Sequence, residues 1–388
     1  MNEIVILDGA RTAIGTFGGM LAGTSPIELA TVVSKAALER SGVEGAQIGQ
    51  VAFGHVINTE PKDMYLSRVA ALQAGVPETT AAMNVNRLCG SGAQAIVSVI
   101  QSLMLGDADF GLAGGAENMS RSPFILQDQR WGAKMGDMML GALNCPFGTG
   151  HMGVTAENVA AEHDISRAEQ DAFAMTSQTR AAAAIRDGRF EDQITPVSVK
   201  VKRDNVDFMR DEHPKQTDEA ALAGLRPVFQ KDGSVTAGNA SGINDGAAAL
   251  VLAQASAAQM AGLRPRARVL GYAHAGVRPE VMGIGPIPAV QNLLQKTGLT
   301  VEDFDVIESN EAFAAQALAV NKALGLDAAR VNPNGGAIAL GHPVGATGAI
   351  LVIKALHELE RTQSNRALIT MCIGGGQGIA LAIERIAA

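Results

Sequence analysis

Gly42 and Gly298 stand 256 residues apart in matching surroundings, and the same spacing returns further along the chain. LERSGVEGAQIGQVAF at 38–53 and LQKTGLTVEDFDVIES at 294–309 both read as a helix end, a glycine, a short polar link and a strand. Gly90-Ser91-Gly92-Ala93 and Ala346-Thr347-Gly348-Ala349 repeat the 256-residue offset. Two independent matches at one offset point to an internal duplication. A third pair, DFGLAGG at 109–115 and ALITMCIGGG at 367–376, reads in each copy as a buried strand running into a glycine turn. Each half then alternates short apolar strands with Ala-rich helices, the pattern of an α/β unit.

Between the halves, from Glu117 to Asn244, the character changes to Met, Asp, Arg and Gln. The expected division is a first half at 1–116, completed by about 245–265, an inserted loop domain at 117–244, and a second half at 266–388. The insertion carries a strong helix signal at 166–188, with Ser166 and Glu169 as a capping box and Gly188 as a stop. A structureless excursion of this length is uncommon in a compact domain, so the segment is expected to cover the active site. With 47% hydrophobic and 4% aromatic residues but 44 glycines, packing must rest on aliphatic side chains and close backbone approach, which suits layered α/β structure. The N-terminus has no signal-like pattern and no uncharged apolar run is expected to reach the roughly 18 residues of a membrane span, so the chain reads as cytoplasmic. A net charge of −8 argues against nucleic acid or a membrane surface as partner.

Three widely spaced cysteines suit neither a disulfide framework nor a zinc site, and no spacing suggests a metal. Cys89, in VNRLCGSGAQAIVSVIQSL, falls where a strand-like stretch ends and a small-residue turn opens a helix. At a helix N-terminus the thiolate is favoured and the thiol pKa is expected to fall, as a nucleophile requires. A lone cysteine is usually a small core residue, but Gly90, Ser91, Gly92 and Ala93 leave room for a ligand. His342, between Gly341 and Pro343, lies in the corresponding junction of the second half, so the two turns are expected to face each other. Such a His can take a thiol proton or donate to a carbonyl oxygen. Cys372 ends a strand and opens CIGGGQG, whose successive N–H groups suit an anion nest. Asn310, in Asn310-Glu311-Ala312-Phe313, can orient a water or a carbonyl.

Together these residues resemble the thiolase family. Its four active-site loops stand here, in order, as Cys89-Gly90-Ser91, Asn310-Glu311-Ala312-Phe313, Gly341-His342-Pro343 and Cys372-Ile373-Gly374. The resemblance implies a duplicated thiolase fold, two halves stacked into a five-layered αβαβα core with an inserted loop domain, assembled as homodimers or homotetramers. It implies that Cys89 is acylated with His342 activating it, and that Cys372 then acts as base on acetyl-CoA. His342 and a water held by Asn310 would meet the enolate oxygen, and the N–H groups of Cys89 and Gly374 the tetrahedral oxyanion. Coenzyme A is implied as substrate and product, with no bound cofactor. His151, Ser241 and the apolar Leu143, Phe229, Met282, Ala312 and Phe313 are carried onto the pantetheine tunnel, with Lys215 as candidate for the phosphates. HMG at 151–153, MGIGPIPA at 282–289 and RWGAKMGD at 130–137 resemble the short-chain biosynthetic branch and its broad β-ketothiolases. Acetoacetyl-CoA formation is therefore the first expectation, with cleavage of longer 3-ketoacyl-CoA second.

A 3-ketoacyl synthase shares the duplicated fold but pairs its Cys with two His, or with His and Asn, whereas Cys372 here offers a base. A dinucleotide-binding dehydrogenase would need a G-x-G-x-x-G turn near the start, which is absent. An inactive acyl-CoA-binding scaffold is disfavoured because Cys89, His342 and Cys372 are all intact. Cys145 reads as a packed or partly exposed thiol near the tunnel mouth. His55, His163, His213, His274 and His357 have no motif to lift them above core or surface roles. Met135, Met138 and Met139 read as a subunit contact or tunnel wall rather than a metal site.

Overall fold

The computed structural model describes residues 2–387. In the first half, strands β1 (Ile4–Arg11), β2 (Ile48–Gly54), β3 (Ala81–Val85), β4 (Phe110–Asn118) and β5 (Asn244–Gln254) lie in the order β1-β5-β4-β2-β3. In the second, β6 (Ala267–Gly276), β7 (Val306–Ser309), β8 (Arg366–Ile373) and β9 (Gln377–Arg385) lie in the order β6-β9-β8-β7. The match is strand for strand, because β2–β4 and β7–β8 are parallel while β4–β5, β8–β9, β1–β5 and β6–β9 are antiparallel. A parallel bridge between Ile307 and Val331 stands where β3 stands in the first half. The two sheets meet at β1 and β6 through two residue pairs, Val5 with Arg268 and Ile6 with Ala267.

Helices repeat as the strands do. α1 (Pro26–Ser41) and α2 (Leu66–Gln73) cover the outer face of the first sheet, while α4 (Pro286–Thr297), with α5 (Ala314–Leu324) against it, covers the second. α3 (Ser91–Leu105) and α6 (Thr347–Thr362) pack on each other between the sheets, completing five layers. Ser25 and Glu28 form a capping box at the start of α1, and the helix ends at Gly42 with φ 69°. α4 ends likewise at Gly298 with φ 71°, so both copies of the glycine stop the helix in the left-handed conformation that glycine adopts without strain. The equivalent small residues at the starts of α3 and α6 set the closeness of the two halves. A Cβ on Gly348 would overlap the Ala93 backbone nitrogen, and one on Gly92 would lie 3.0 Å from the Gly345 oxygen.

Two expectations are corrected here. Gly114 and Gly115 do not form a turn; they lie inside β4, paired with Ala249 and Ala248. Their lack of side chains lets the Gly345–Ala346 turn rest on the strand, where a Cβ on Gly115 would strike the Gly345 oxygen. Second, an uncharged apolar run of 18 residues does exist, Leu88–Leu105, with mean hydropathy 1.5. It is α3 with its preceding turn, and its apolarity follows from lying between two sheets and another helix.

β4 holds Glu117 and Asn118 within the sheet, opposite Gly246 and Asp245, and the chain leaves it at Met119. Before returning at Asn244 it forms three hairpins, Phe124–Gln127 with Lys134–Asp137, Asn144–Cys145 with Gly150–His151 and Val197–Val201 with Asp204–Phe208, and two substantial helices, Met152–Glu162 and Arg167–Arg186. The second helix starts with the Ser166–Glu169 capping box and is followed by Gly188 with φ 69°. The buried Arg11–Asp211 ion pair, 2.8 Å, ties this segment back to β1.

Candidate active site

The turn before α3 is wound tightly. Ser91 Oγ donates to the Leu88 oxygen at 2.6 Å and accepts from the Arg87 N–H at 2.9 Å. Leu88 takes φ 45°, a left-handed conformation that costs a side chain such as leucine about 1–2 kcal/mol. The strain turns Cys89, partly exposed, toward a cavity whose wall it forms. Burial pushes the Cys89 thiol up to about 11, outweighing the backbone N–H groups of Gly374 and of Cys89 itself, which favour the thiolate. The expected lowering by the helix N-terminus is therefore corrected: the resting group is a thiol, and its proton needs an acceptor at the moment of reaction. Alkylation of Cys89 by iodoacetamide, followed on its peptide by mass spectrometry, should still be accelerating at pH 9. A rate already level at pH 8 would mean that the thiolate is preformed.

His342 is buried and fixed from three sides. Asn244 Oδ1 accepts its backbone N–H at 2.9 Å, while Nδ1 lies 2.6 Å from Thr347 Oγ1. The Thr347 hydroxyl donates its single hydrogen to the Pro343 oxygen at 2.9 Å, so toward His342 it accepts, and Nδ1 carries the proton. Nε2 is then the free acceptor, 3.4 Å from Asn310 Nδ2. Burial lowers the ring to about 4, which keeps it neutral and able to receive a proton.

Cys372, near the end of β8, is buried in an apolar cluster with Met152, Met282, Ala312 and Phe313. Burial and the neighbouring Cys89 both raise its thiol well above the ordinary range. Asn310 Oδ1 is buried with no hydrogen-bond partner among the described residues, and its backbone N–H donates to the Thr370 oxygen at 3.0 Å. The next residue anchors this loop, because the buried Glu311 carboxylate accepts from Ser177 Oγ at 2.6 Å, Asn332 Nδ2 at 2.8 Å and the Ile338 N–H at 3.3 Å.

The cavity, about 410 Å³, is lined by Cys89, His342 and Gly374, by the residues expected of a pantetheine tunnel, Leu143, His151, Phe229, Ser241, Met282, Ala312 and Phe313, and by Lys215, expected for the phosphates. Cys372 and Asn310 are absent from the wall, and Met135, Met138 and Met139 do not reach it. His151 caps the helix Met152–Glu162, its Nδ1 accepting from the Gly153 N–H at 3.0 Å, which leaves Nε2–H as donor. Its ring stacks on Phe229 at 4.7 Å, and Phe229 meets Phe313 edge-on at 6.2 Å. Ser241 N–H donates to the Ala312 oxygen at 2.9 Å, so the two walls are stitched together. Lys215 makes no ion pair among the described residues, which leaves its ammonium available to an anion.

His213 was expected to have only a core or surface role and instead lines the cavity, held at about 4 by burial and by Lys215. Its position two residues from Lys215 was the only signal available. Met152 also lines the wall, its terminal methyl beside Gly374. Cys145 is buried in the same cluster as Cys372. Among the described residues no three His, Cys, Asp or Glu side chains are grouped to hold a metal ion.

Residues 4–256 match the family model described as thiolase, N-terminal domain, and residues 263–385 match thiolase, C-terminal domain. The chain is 58% identical to beta-ketothiolase BktB of Cupriavidus necator, over 99% of this chain and 100% of that one. Superposition on the crystal structure of Bacillus anthracis acetyl-CoA acetyltransferase gives a TM-score of 0.97 at 45% identity, covering 100% and 99% of the two chains. Human mitochondrial 3-ketoacyl-CoA thiolase in complex with CoA gives 0.96 at 40%, covering 99% and 98%. Matched along both halves, with the duplicated five-layered core, Cys89 and His342 on the wall of one cavity and Cys372 in the apolar cluster behind it, the chain belongs to the thiolase family.

Proposed function

We propose that this thiolase is an acetyl-CoA C-acetyltransferase, joining two acetyl-CoA into acetoacetyl-CoA and CoA and running the reverse thiolysis, through an acyl thioester on Cys89. The observation that carries the assignment is the meeting of Cys89, the neutral His342 imidazole and the Gly374 N–H on the wall of one cavity. In acylation the Cys89 thiol passes its proton to His342 Nε2 as sulfur attacks the acetyl carbon. The oxyanion is met by the backbone N–H groups of Cys89 and Gly374, both on the cavity wall. CoA departs as a thiolate and takes the proton of Cys372, leaving a Cys372 thiolate beside a protonated His342.

This exchange accounts for a base whose free thiol is held so high. Part of its elevation comes from Cys89, and acylation removes the charge that Cys89 would carry. Cys372 then takes a proton from the methyl carbon of the second acetyl-CoA, the enolate attacks the acyl-enzyme, and the released Cys89 sulfur recovers its proton from His342. The Cys89 proton returns by way of His342, and the Cys372 proton that left on CoA is replaced by the one taken from the methyl carbon. Asn310 and His342 support the enolate oxygen, and Asn310→Ala should slow condensation by roughly 10²–10³-fold. An unchanged rate would mean that the oxygen is supported elsewhere.

CoA and acyl-CoA are the small-molecule partners in this reading, with no bound cofactor, and Lys215 on the cavity wall is the cation offered to the phosphates. Homodimeric or homotetrameric assembly and a cytoplasmic location belong to the same reading. The 58% identity to a beta-ketothiolase supports a second, broader-chain activity, and the flexible Met152 and Met282 in the wall suit acyl groups of more than one length. The test is thiolysis of acetoacetyl-CoA and of a six-carbon 3-ketoacyl-CoA by free CoA, with mass spectrometry of the Cys89 peptide. Cleavage with acyl mass at Cys89 is expected, and the ratio of rates sets the chain-length preference. Neither turnover nor adduct in folded protein would overturn the assignment.

A further inference from the structure

Glu117, at the end of β4, is fully buried and lies outside the cavity wall. Its Oε2 accepts the Val56 N–H and the Gly345 N–H, each at 3.0 Å, and Oε1 accepts the Ile57 N–H at 3.1 Å. Gly345 belongs to the turn that carries His342, whereas Val56 and Ile57 follow β2 in the other half. One carboxylate therefore joins the two pseudo-symmetric halves beside the reacting groups, at the place where Gly54, Gly92 and Gly115 bring the Gly345–Ala346 turn into backbone contact.

We propose that Glu117 is a positioning residue for the reaction at Cys89, docking the His342 turn against the first half. Burial pushes the carboxyl up, whereas His55 and the three amides hold it down, and its charge in turn raises the Cys89 thiol. His55, from the loop after β2, has Nδ1 3.5 Å from Oε1, and Asp63 lies beyond it, 3.9 Å from Nε2. β5 presents Gly246 opposite Glu117, and the 343–346 turn presents backbone.

The inference rests on Cys89 being the acylated residue, so acyl mass on the wild-type Cys89 peptide is the control, and its absence would remove that reading rather than this one. In Glu117→Gln the amide cannot accept from all three N–H groups and carries no charge. Expected is a kcat lower by roughly 10- to 100-fold with KM for acetoacetyl-CoA little changed. A merely structural residue would lower Tm and leave the kcat of the folded protein in place. Glu117→Asp keeps the carboxylate but withdraws it by one methylene, so kcat should fall there too, again with KM little changed. Wild-type kcat in either folded variant, or a raised KM with kcat intact, would overturn the proposal. Should Glu117→Gln fail to fold, Glu117→Asp decides the proposal: a lowered kcat with an unchanged KM supports it, and any other result sinks it.

Discussion

Cys89→Ala should leave a folded protein that takes up no acyl group and whose thiolysis of acetoacetyl-CoA falls by on the order of 10⁴–10⁶-fold, the scale seen when a covalent nucleophile is removed. Stability should change little, because Cys89 is partly exposed and its turn is held by Ser91, Leu88 and Arg87 rather than by the thiol. The substitution leaves His342, Asn310 and the cavity wall intact, so binding of acyl-CoA should persist while chemistry stops. Thermal unfolding, acyl-CoA binding by calorimetry and intact-protein mass after incubation with acetoacetyl-CoA separate these outcomes. An acyl adduct remaining in the variant would move the nucleophile to Cys372 or Cys145. Retained turnover without any adduct would replace the two-step scheme by direct transfer between the two CoA thioesters.

What could be read from the chain beforehand was whatever is local or repeated. The helix stops at Gly42 and Gly298, the Ser166–Glu169 capping box and the small residues beside Cys89 each declare themselves within a few positions, because capping and close approach are short-range demands. The site motifs likewise sit in contiguous loops. Asn244, which holds the His342 N–H from 98 residues away, and Glu117, which reaches Gly345 across 228, could not be foreseen. A buried polar side chain is specified by partners that only the folded chain brings near, and an isolated Asn or Glu looks the same whether solvated or enclosed. The sign of the Cys89 shift failed for a related reason. Helix-end placement is visible in sequence, whereas the desolvation that outweighs it depends on the second half folding over the turn. His213 and Gly114–Gly115 are the same case in apolar and backbone form, their roles set by the tunnel and by the Gly345 turn rather than by their neighbours in the chain.

Cys372→Ala should divide the reaction in two. Acylation of Cys89 from acetoacetyl-CoA or acetyl-CoA needs the His342 base and the two N–H donors, none of which the substitution touches, so the Cys89 peptide should still gain acetyl mass. Condensation needs a proton removed from a methyl group, and loss of the positioned base should slow it by at least roughly 10²–10⁴-fold. The departing CoA thiolate also loses its proton donor, so the acyl-enzyme should form more slowly than in the wild type yet accumulate, because nothing consumes it efficiently. Replacing a side chain this deeply buried in the Met152, Met282, Ala312 and Phe313 cluster leaves a small void costing about 1 kcal/mol, too little to unfold the chain. Cys372→Ser fills that space with a hydroxyl that is a far weaker acid, so it should match Cys372→Ala in condensation while recovering its stability. Stopped reactions with labelled acetyl-CoA, scored for acyl-Cys89 and for acetoacetyl-CoA, read both halves in one experiment. Product forming at the wild-type rate in Cys372→Ala would assign the base to His342, whose Nε2 is unprotonated in the resting site. Loss of the acyl adduct as well would mean that the Cys372 proton is required for CoA to leave, and the two thiols would then act as one coupled pair.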